Sequence, residues 1–208
     1  MAQGGFFLLY PRLWHDYGVR MDHTPRPRQR LPRPLDTARL NDLALAYVAR
    51  FATSAGRLTA YLKRKLRERG WDDATAPDIP GVVAKLVGSG YVDDPGFAHA
   101  RAAGLLRRGY GARRIAETLA HDGIDAPLAA EASGTDHDRR AAALAFVRRR
   151  RLGPYGASGP PAGLDRAAQA RQVAAMLRAG HSLATARALI NASDQTSAEQ
   201  WVDEADDA

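Results

Sequence analysis

Apolar residues recur along this chain at three- and four-residue steps, the spacing that lines one face of an α-helix. Leu40, Leu43, Ala44, Tyr47, Val48 and Phe51 form the first stripe, behind Asp36 as N-cap. A second helix starts at Thr53 or Ser54 and turns Leu58, Tyr61, Leu62 and Leu66 inward. Its outer face carries Lys63, Arg64 and Arg67, with Lys65 at the boundary. Gly70 suits the left-handed position that ends a helix. A third helix begins at Asp78, takes Pro80 in its first turn, points Val82, Val83, Leu86 and Val87 inward, and stops at Gly90.

The same order of events recurs twice. Asp94 and Pro95 read as N-cap and first helical residue, with Phe97, Gly104 and Leu105 buried and Gly109 as the stop. A short helix from Gly111 to His121 turns Ile115 and Leu119 inward. Gly123 ends it, and Asp125 caps a helix that buries Leu128 and Ala132. A third unit starts near Asp136 or Asp138 and runs through Leu144, Phe146 and Val147 into four consecutive arginines. A Gly/Pro-rich loop, residues 153–163, follows. Asp165 caps the next helix, which faces Ala168, Val173, Met176 and Leu177 inward and ends at Gly180. Ser182 caps the last helix, closed by Leu189 and Ile190.

The punctuation repeats with the helices. Leu66-x3-Gly70-Trp71-Asp72 is matched by Leu119-x3-Gly123-Ile124-Asp125, and more loosely by Met176-x3-Gly180-His181-Ser182. The glycines lie 53 and 57 residues apart. A unit of this size buries little surface alone, so stacking of neighbours follows. The pattern predicts an all-α fold, an elongated array of three tandem three-helix repeats at 35–93, 94–135 and 136–192.

The ends read differently. Residues 1–34 form a basic, Pro/Arg-rich N-terminal extension. Phe6 to Tyr10 is apolar but too short for a signal core, and Met1 to Gly5 holds no basic residue, so secretion is not expected. Thr24 to Pro34 contains four Pro and four Arg and reads as a disordered, extended arm. Met21 is an alternative natural start. Residues 193–208 hold six acids and no cation and read as a solvated, disordered acidic tail.

Composition narrows the chemistry. The 208 residues carry a net charge of +7: +4 on residues 1–34, +9 on 35–192 and −6 on the tail. The basic middle is therefore partly hidden by the end. Zero Cys excludes a disulfide scaffold, a thiolate zinc site and a Cys nucleophile. No apolar run approaches the roughly 20 residues that span a bilayer, so no membrane is involved. The six His show no metal spacing, and there is no phosphate loop or Ser elbow. Asp93–Asp94 and Asp72–Asp73 read as caps rather than catalytic pairs. His121 and His181 sit at helix ends, where the dipole favours them. No enzyme, cofactor or metal is expected.

Function then falls to the cations. The candidates are Lys63, Arg64 and Arg67; Arg107 and Arg108 with Arg113 and Arg114 around a glycine turn; and the run Arg148, Arg149, Arg150 and Arg151. Arg suits bidentate contact with phosphate or carboxylate better than Lys, and 27 of the 30 cations are Arg. The 41 Ala point to GC-rich coding as one source of that excess, so clustering outweighs the total. Aromatics near these clusters are too sparse for stacked single-strand readout, leaving shape and backbone charge as the targets.

Residues 36–192 resemble the RecX family, regulators of the RecA recombinase. Three stretches carry the likeness. Leu62 to Gly70 has an L-x3-K-x3-R-x-G character. Gly90-Tyr91-Val92-Asp93-Asp94, then Phe97-Ala98, follows the family's G-Y-[LV]-[DN]-D-x-x-F-A signature. Arg108-Gly109-Tyr110-Gly111-Ala112-Arg113-Arg114-Ile115, then Leu119 and Gly123-Ile124, follows its R-x-G-x-x-R-I segment. The third repeat departs in its long loop, and the extension and tail lie outside the resemblance. The resemblance implies three-helix repeats and a non-enzymatic regulator in the bacterial cytoplasm. It implies binding in the groove of the RecA–single-stranded DNA filament, contact with the DNA phosphate backbone, and inhibition of ATP hydrolysis and strand exchange. A monomer is expected. Gly90, Tyr91, Asp94 and Phe97 are assigned to the fold, with Tyr91 and Phe97 at a repeat junction. Direct DNA or RNA binding without a recombinase, and an adaptor for an acidic protein, remain open.

Overall fold

A computed structural model describes residues 33–156 and 166–206 of the chain. The N-terminal extension through Pro32, most of the Gly/Pro-rich loop and the expected cap Asp165 lie outside them. The described residues form ten α-helices and no strand. The first group is α1 (Thr37–Val48), α2 (Ala55–Arg69) and α3 (Ile79–Gly88). The second is α4 (Asp94–Arg107), α5 (Ala112–His121) and α6 (Ala126–Ala132). The third is α7 (Asp136–Arg150), α8 (Arg166–Arg178) and α9 (Leu183–Ile190), followed by α10 (Gln195–Asp203). The fold is all-α and built of helical repeats.

Each group closes around its own apolar cluster. Leu40, Leu58, Leu62 and Val83 lead the first. Ala98, Ala102, Leu105, Ile115 and Leu119 make the second, where alanine lets helices approach closely. Val147, Met176, Leu189 and Ile190 centre the third. The caps explain the helix starts. Asp36, Ser54, Asp78, Asp125 and Ser182 each accept a hydrogen bond from the backbone N–H three residues on.

Several expectations shift. The N-cap of α4 is Asp93, and Asp94 is helical; its carboxylate accepts from the Ala55 N–H at 2.8 Å instead, tying α4 to the start of α2. The third unit starts at Thr135, which forms a reciprocal capping box with Asp138. Ala98 and Ala102, not Phe97 and Gly104, carry the buried stripe of α4, and Phe97 is half-buried. Val87 is 44% exposed, Phe51 55% and Tyr91 59%. Val87 and Phe51 fall at or beyond helix ends, where the periodic face no longer meets a neighbour. Tyr91 is therefore not packed in a repeat junction.

The acidic end is a helix, not a solvated tail. Ala198 and Val202 of α10 are buried in the third cluster. Arg140 donates to the Trp201 carbonyl at 2.8 Å, and its guanidinium lies 4.6 Å from the Trp201 ring centroid. Glu199 and Asp203 lie outside the apolar cluster and Asp194 caps the helix, which is why composition alone read as tail. Stacked repeats need their last apolar surface covered, and α10 covers it.

The repeats meet through backbone. Gly56, in the first turn of α2, stands against Gly123 after α5; a Cβ on either would lie 2.6 Å from the other's Cα. The Ser54 hydroxyl donates to the Asp122 carbonyl across the same joint. The next joint repeats the device one unit on. Gly111, before α5, abuts Gly180, after α8, and its N–H donates to the Ala179 carbonyl at 2.9 Å. Gly70 holds the corresponding place in the first repeat but faces open space. There Leu35 takes over: its N–H donates to the Gly70 carbonyl at 3.0 Å, and its carbonyl accepts from Asp72 at 2.8 Å.

Candidate functional site

The expected cations fall into unequal states. On α2, Lys63, Arg64 and Arg67 are all exposed. Arg64 pairs with Glu68 at 3.6 Å, and Lys65 with the same carboxylate at 2.6 Å. The Lys65 hydrogen bond holds Glu68 below the usual carboxylate range, so it stays charged. Lys63 and Arg67 have no described carboxylate in ion-pair reach.

At the end of α4, Arg107 is exposed and Arg108 forms the cap. Arg108 donates to the Gly104 carbonyl at 3.0 Å and lies over the Tyr110 ring at 5.9 Å. Arg113 and Arg114 occupy the first turn of α5, where the helix dipole disfavours cations. Glu117 offsets this, 3.8 Å from Arg113 and 3.6 Å from Arg114. Arg113 also donates to the Leu177 carbonyl at 2.6 Å, across the second joint. It is a structural tie as much as a surface charge.

The run at the end of α7 divides likewise. Arg148 pairs with Glu199 of α10 and lies over the Tyr155 ring at 5.5 Å. The hydrogen bond from Arg148, then that from Tyr155, lowers the Glu199 pKa. Arg149 and Arg150 flank the Phe146 ring at 6.0 and 5.9 Å. Arg151 takes the left-handed C-cap at φ 53° and is exposed. Arg149, Arg150 and Arg151 have no described carboxylate within ion-pair reach.

The separate clusters converge little. Arg150 shares a hollow with Arg178, both of the third group, and with Tyr110 of the second, on which Arg108 lies. Arg113 lines another with Arg139 and Arg140, where Asp136 partly neutralises them. The α2 cations join neither hollow.

Sequence reasoning missed other residues. Asp122 is buried at the first joint and draws Arg57 to 3.7 Å and Arg101 to 3.2 Å. His181, buried at the second, donates from Nε2 to the Gly109 carbonyl at 3.0 Å. Burial pushes its pKa below the ordinary histidine value, outweighing that bond. It is thus a neutral joint residue, beyond the dipole role expected of it. Three aromatics also gather beside α2. Tyr47 and Tyr61 stack at 4.1 Å with 20° between planes, and Phe51 tilts against Tyr47 at 5.3 Å. The 47/51 spacing was visible in the sequence as a helical stripe, but only folding brings it to Tyr61. Among the described residues no cluster of three metal-ligating side chains occurs. No helix there is long and apolar enough to cross a membrane.

Known proteins extend the picture. Residues 93–132, the span of the second helix group, match the family model described as RecX, second three-helix domain. The chain is 30% identical over 171 residues to a protein named Regulatory protein RecX from Myxococcus xanthus (strain DK1622), covering 77% of this chain and 88% of that one. A protein of the same name from Mycobacterium sp. (strain KMS) is 33% identical over 114 residues, 52% of this chain and 61% of the relative. The crystal structure of RecX from Lactobacillus salivarius superposes with a TM-score of 0.55 at 16% identity, over 80% of this chain and 96% of that one. That likeness concerns the fold.

Proposed function

The chain belongs to the RecX family, and on that premise we propose that it is a non-enzymatic cytoplasmic regulator of RecA. It binds the RecA–single-stranded DNA filament and inhibits ATP hydrolysis and strand exchange. One observation carries this reading. Lys63 and Arg67 on α2, Arg107 on α4, and Arg149 to Arg151 at the end of α7 are exposed cations without a described carboxylate in ion-pair reach. They are spread over three repeats joined by close backbone packing.

Such a surface suits an extended anionic target. A single exposed cation contributes little, but contacts on linked repeats reinforce one another once the first is made. Phosphate contacts position a protein without reading sequence, as binding to a filament on any DNA requires. Inhibition follows from occupancy: a protein seated across neighbouring subunits restrains the motions that accompany hydrolysis and exchange.

The test adds purified protein to preformed RecA filaments and follows ATP hydrolysis. Dose-dependent inhibition is expected, weakened by Lys63→Ala/Arg67→Ala. No inhibition at excess protein, with tight binding to bare DNA, would instead favour a nucleic-acid-binding protein acting without the recombinase.

A further inference from the structure

The aromatics beside α2 are not absorbed by a surface that grips phosphates. Tyr47 and Tyr61 line a hollow at the first repeat joint together with Arg57, Arg64, His121 and Asp122, whose buried carboxylate lies 3.7 Å from Arg57. Arg57, Tyr61 and Arg64 follow one another at i, i+4 and i+7, so one face of α2 presents a cation, a ring and a cation in turn. Arg64 lies 5.5 Å from the centroid of Tyr61. Phe51 extends the aromatic group, packed against Tyr47 yet more than half exposed. Core packing of α1 on α2 accounts for the Tyr47–Tyr61 stack. It leaves both rings half-buried, lining the hollow beside two arginines.

We propose that this hollow is a base-stacking site for single-stranded nucleic acid, in which an unpaired base lies against the Tyr47–Tyr61 aromatic group while Arg57 and Arg64 take the flanking phosphates. Charge complementarity selects the occupant: Asp122 at 3.7 Å and Glu68 at 3.6 Å offset Arg57 and Arg64 only loosely, and both guanidinium groups stay accessible to an anion. Aliphatic partners would not need the guanidinium groups, and an acidic peptide would not need the rings. Base–aromatic stacking is tolerant of sequence because every base has a π-face, and an arginine beside the ring adds a cation–π contribution. A duplex keeps its bases stacked inside and has none to offer. The site adds base contacts to phosphate contacts and acts on a free strand rather than a protein filament, so it stands apart from the RecA reading.

The full-length protein is titrated with fluorescent oligo(dT), with an abasic deoxyribose-phosphate oligomer of equal length and charge, and with duplex DNA. The expected result is tighter binding of oligo(dT) than of the abasic chain by about five-fold or more. Tyr47→Leu and Phe51→Leu should remove most of that preference while leaving abasic binding within two-fold; Tyr47→Phe should keep it. Ultraviolet crosslinking to an iodouracil-bearing strand should label Tyr47, Phe51 or Tyr61. Equal binding of base-bearing and abasic chains would overturn the site, as would labels found only at other aromatics such as Tyr91 or Tyr155. Since no filament is present, this failure leaves RecA inhibition untouched, and loss of RecA inhibition leaves the base preference standing.

Discussion

Gly56 and Gly123 face each other across the first repeat joint so closely that neither has room for a side chain. Gly56 has an ordinary helical backbone, so it is there for the close approach. Gly123 also ends α5 at φ 79°, a conformation that disfavours a Cβ by itself. Gly70, at φ 79° with open space around it, isolates the second effect.

Three alanine variants therefore separate packing from conformation. Gly70→Ala should cost about 1–3 kcal/mol, from a backbone at φ 79° and ψ 177° that only glycine adopts easily. Gly56→Ala should cost about 1–3 kcal/mol through overpacking alone, and Gly123→Ala should exceed both. Urea unfolding midpoints at fixed m-value provide the measurement. A Gly56→Ala variant as stable as the parent would contradict the joint.

The second joint should respond to pH. His181 has its pKa lowered by burial, so the folded protein takes up this proton less readily than the unfolded chain. The stability this provides is fully present above the unfolded value of about 6.5. It declines as pH falls from there through the folded pKa, and then levels off. Asp136, Arg139, Arg140 and Arg113 line the hollow beside the ring. His181→Gln should flatten the stability difference between pH 7.5 and pH 5 relative to the parent, as read by chemical denaturation at each pH.

Removal of the acidic end should destabilise the third repeat. Val202 is 3% exposed, and its truncation to Ala should cost about 2 kcal/mol from lost methyl burial and the cavity left. Glu199→Gln breaks an exposed, solvent-screened pair with Arg148 and should cost much less than the Val202 truncation. A solvated tail would show neither loss. Thermal melting of both variants distinguishes the cases.

The cations should separate by function. Lys63→Ala/Arg67→Ala should leave the melting temperature unchanged and lower the salt slope of single-strand or filament binding by roughly 0.7 for each phosphate no longer neutralised. Arg113→Ala should lower stability as well, because its guanidinium holds the Leu177 carbonyl across the second joint. A melting temperature unaffected by Arg113→Ala would return that residue to the plain surface set.

Sequence periodicity alone specified most helices. Leu58, Leu62, Ile115, Leu119, Leu189 and Ile190 lie where three- and four-residue spacing places them, because a helix with one apolar stripe has one way to bury it. Caps at Asp36, Ser54, Asp78, Asp125 and Ser182 were legible for the same local reason: their hydrogen bonds close within three residues. The α10 helix was not legible, because six acids dominate the composition of residues 193–208 while only Ala198 and Val202 of the helix enter the core.

What tertiary structure decided depends on partners distant in sequence. Gly56 meets Gly123, Asp94 meets Ala55, His181 meets Gly109, and Arg148 meets Glu199 only after the repeats stack. Arg113 and Arg148 were thus indistinguishable from Arg67 in sequence, yet structure makes two of them ties and leaves one open. Helix faces are fixed by local spacing, but whether a charge on a face is paired depends on what folding brings opposite it.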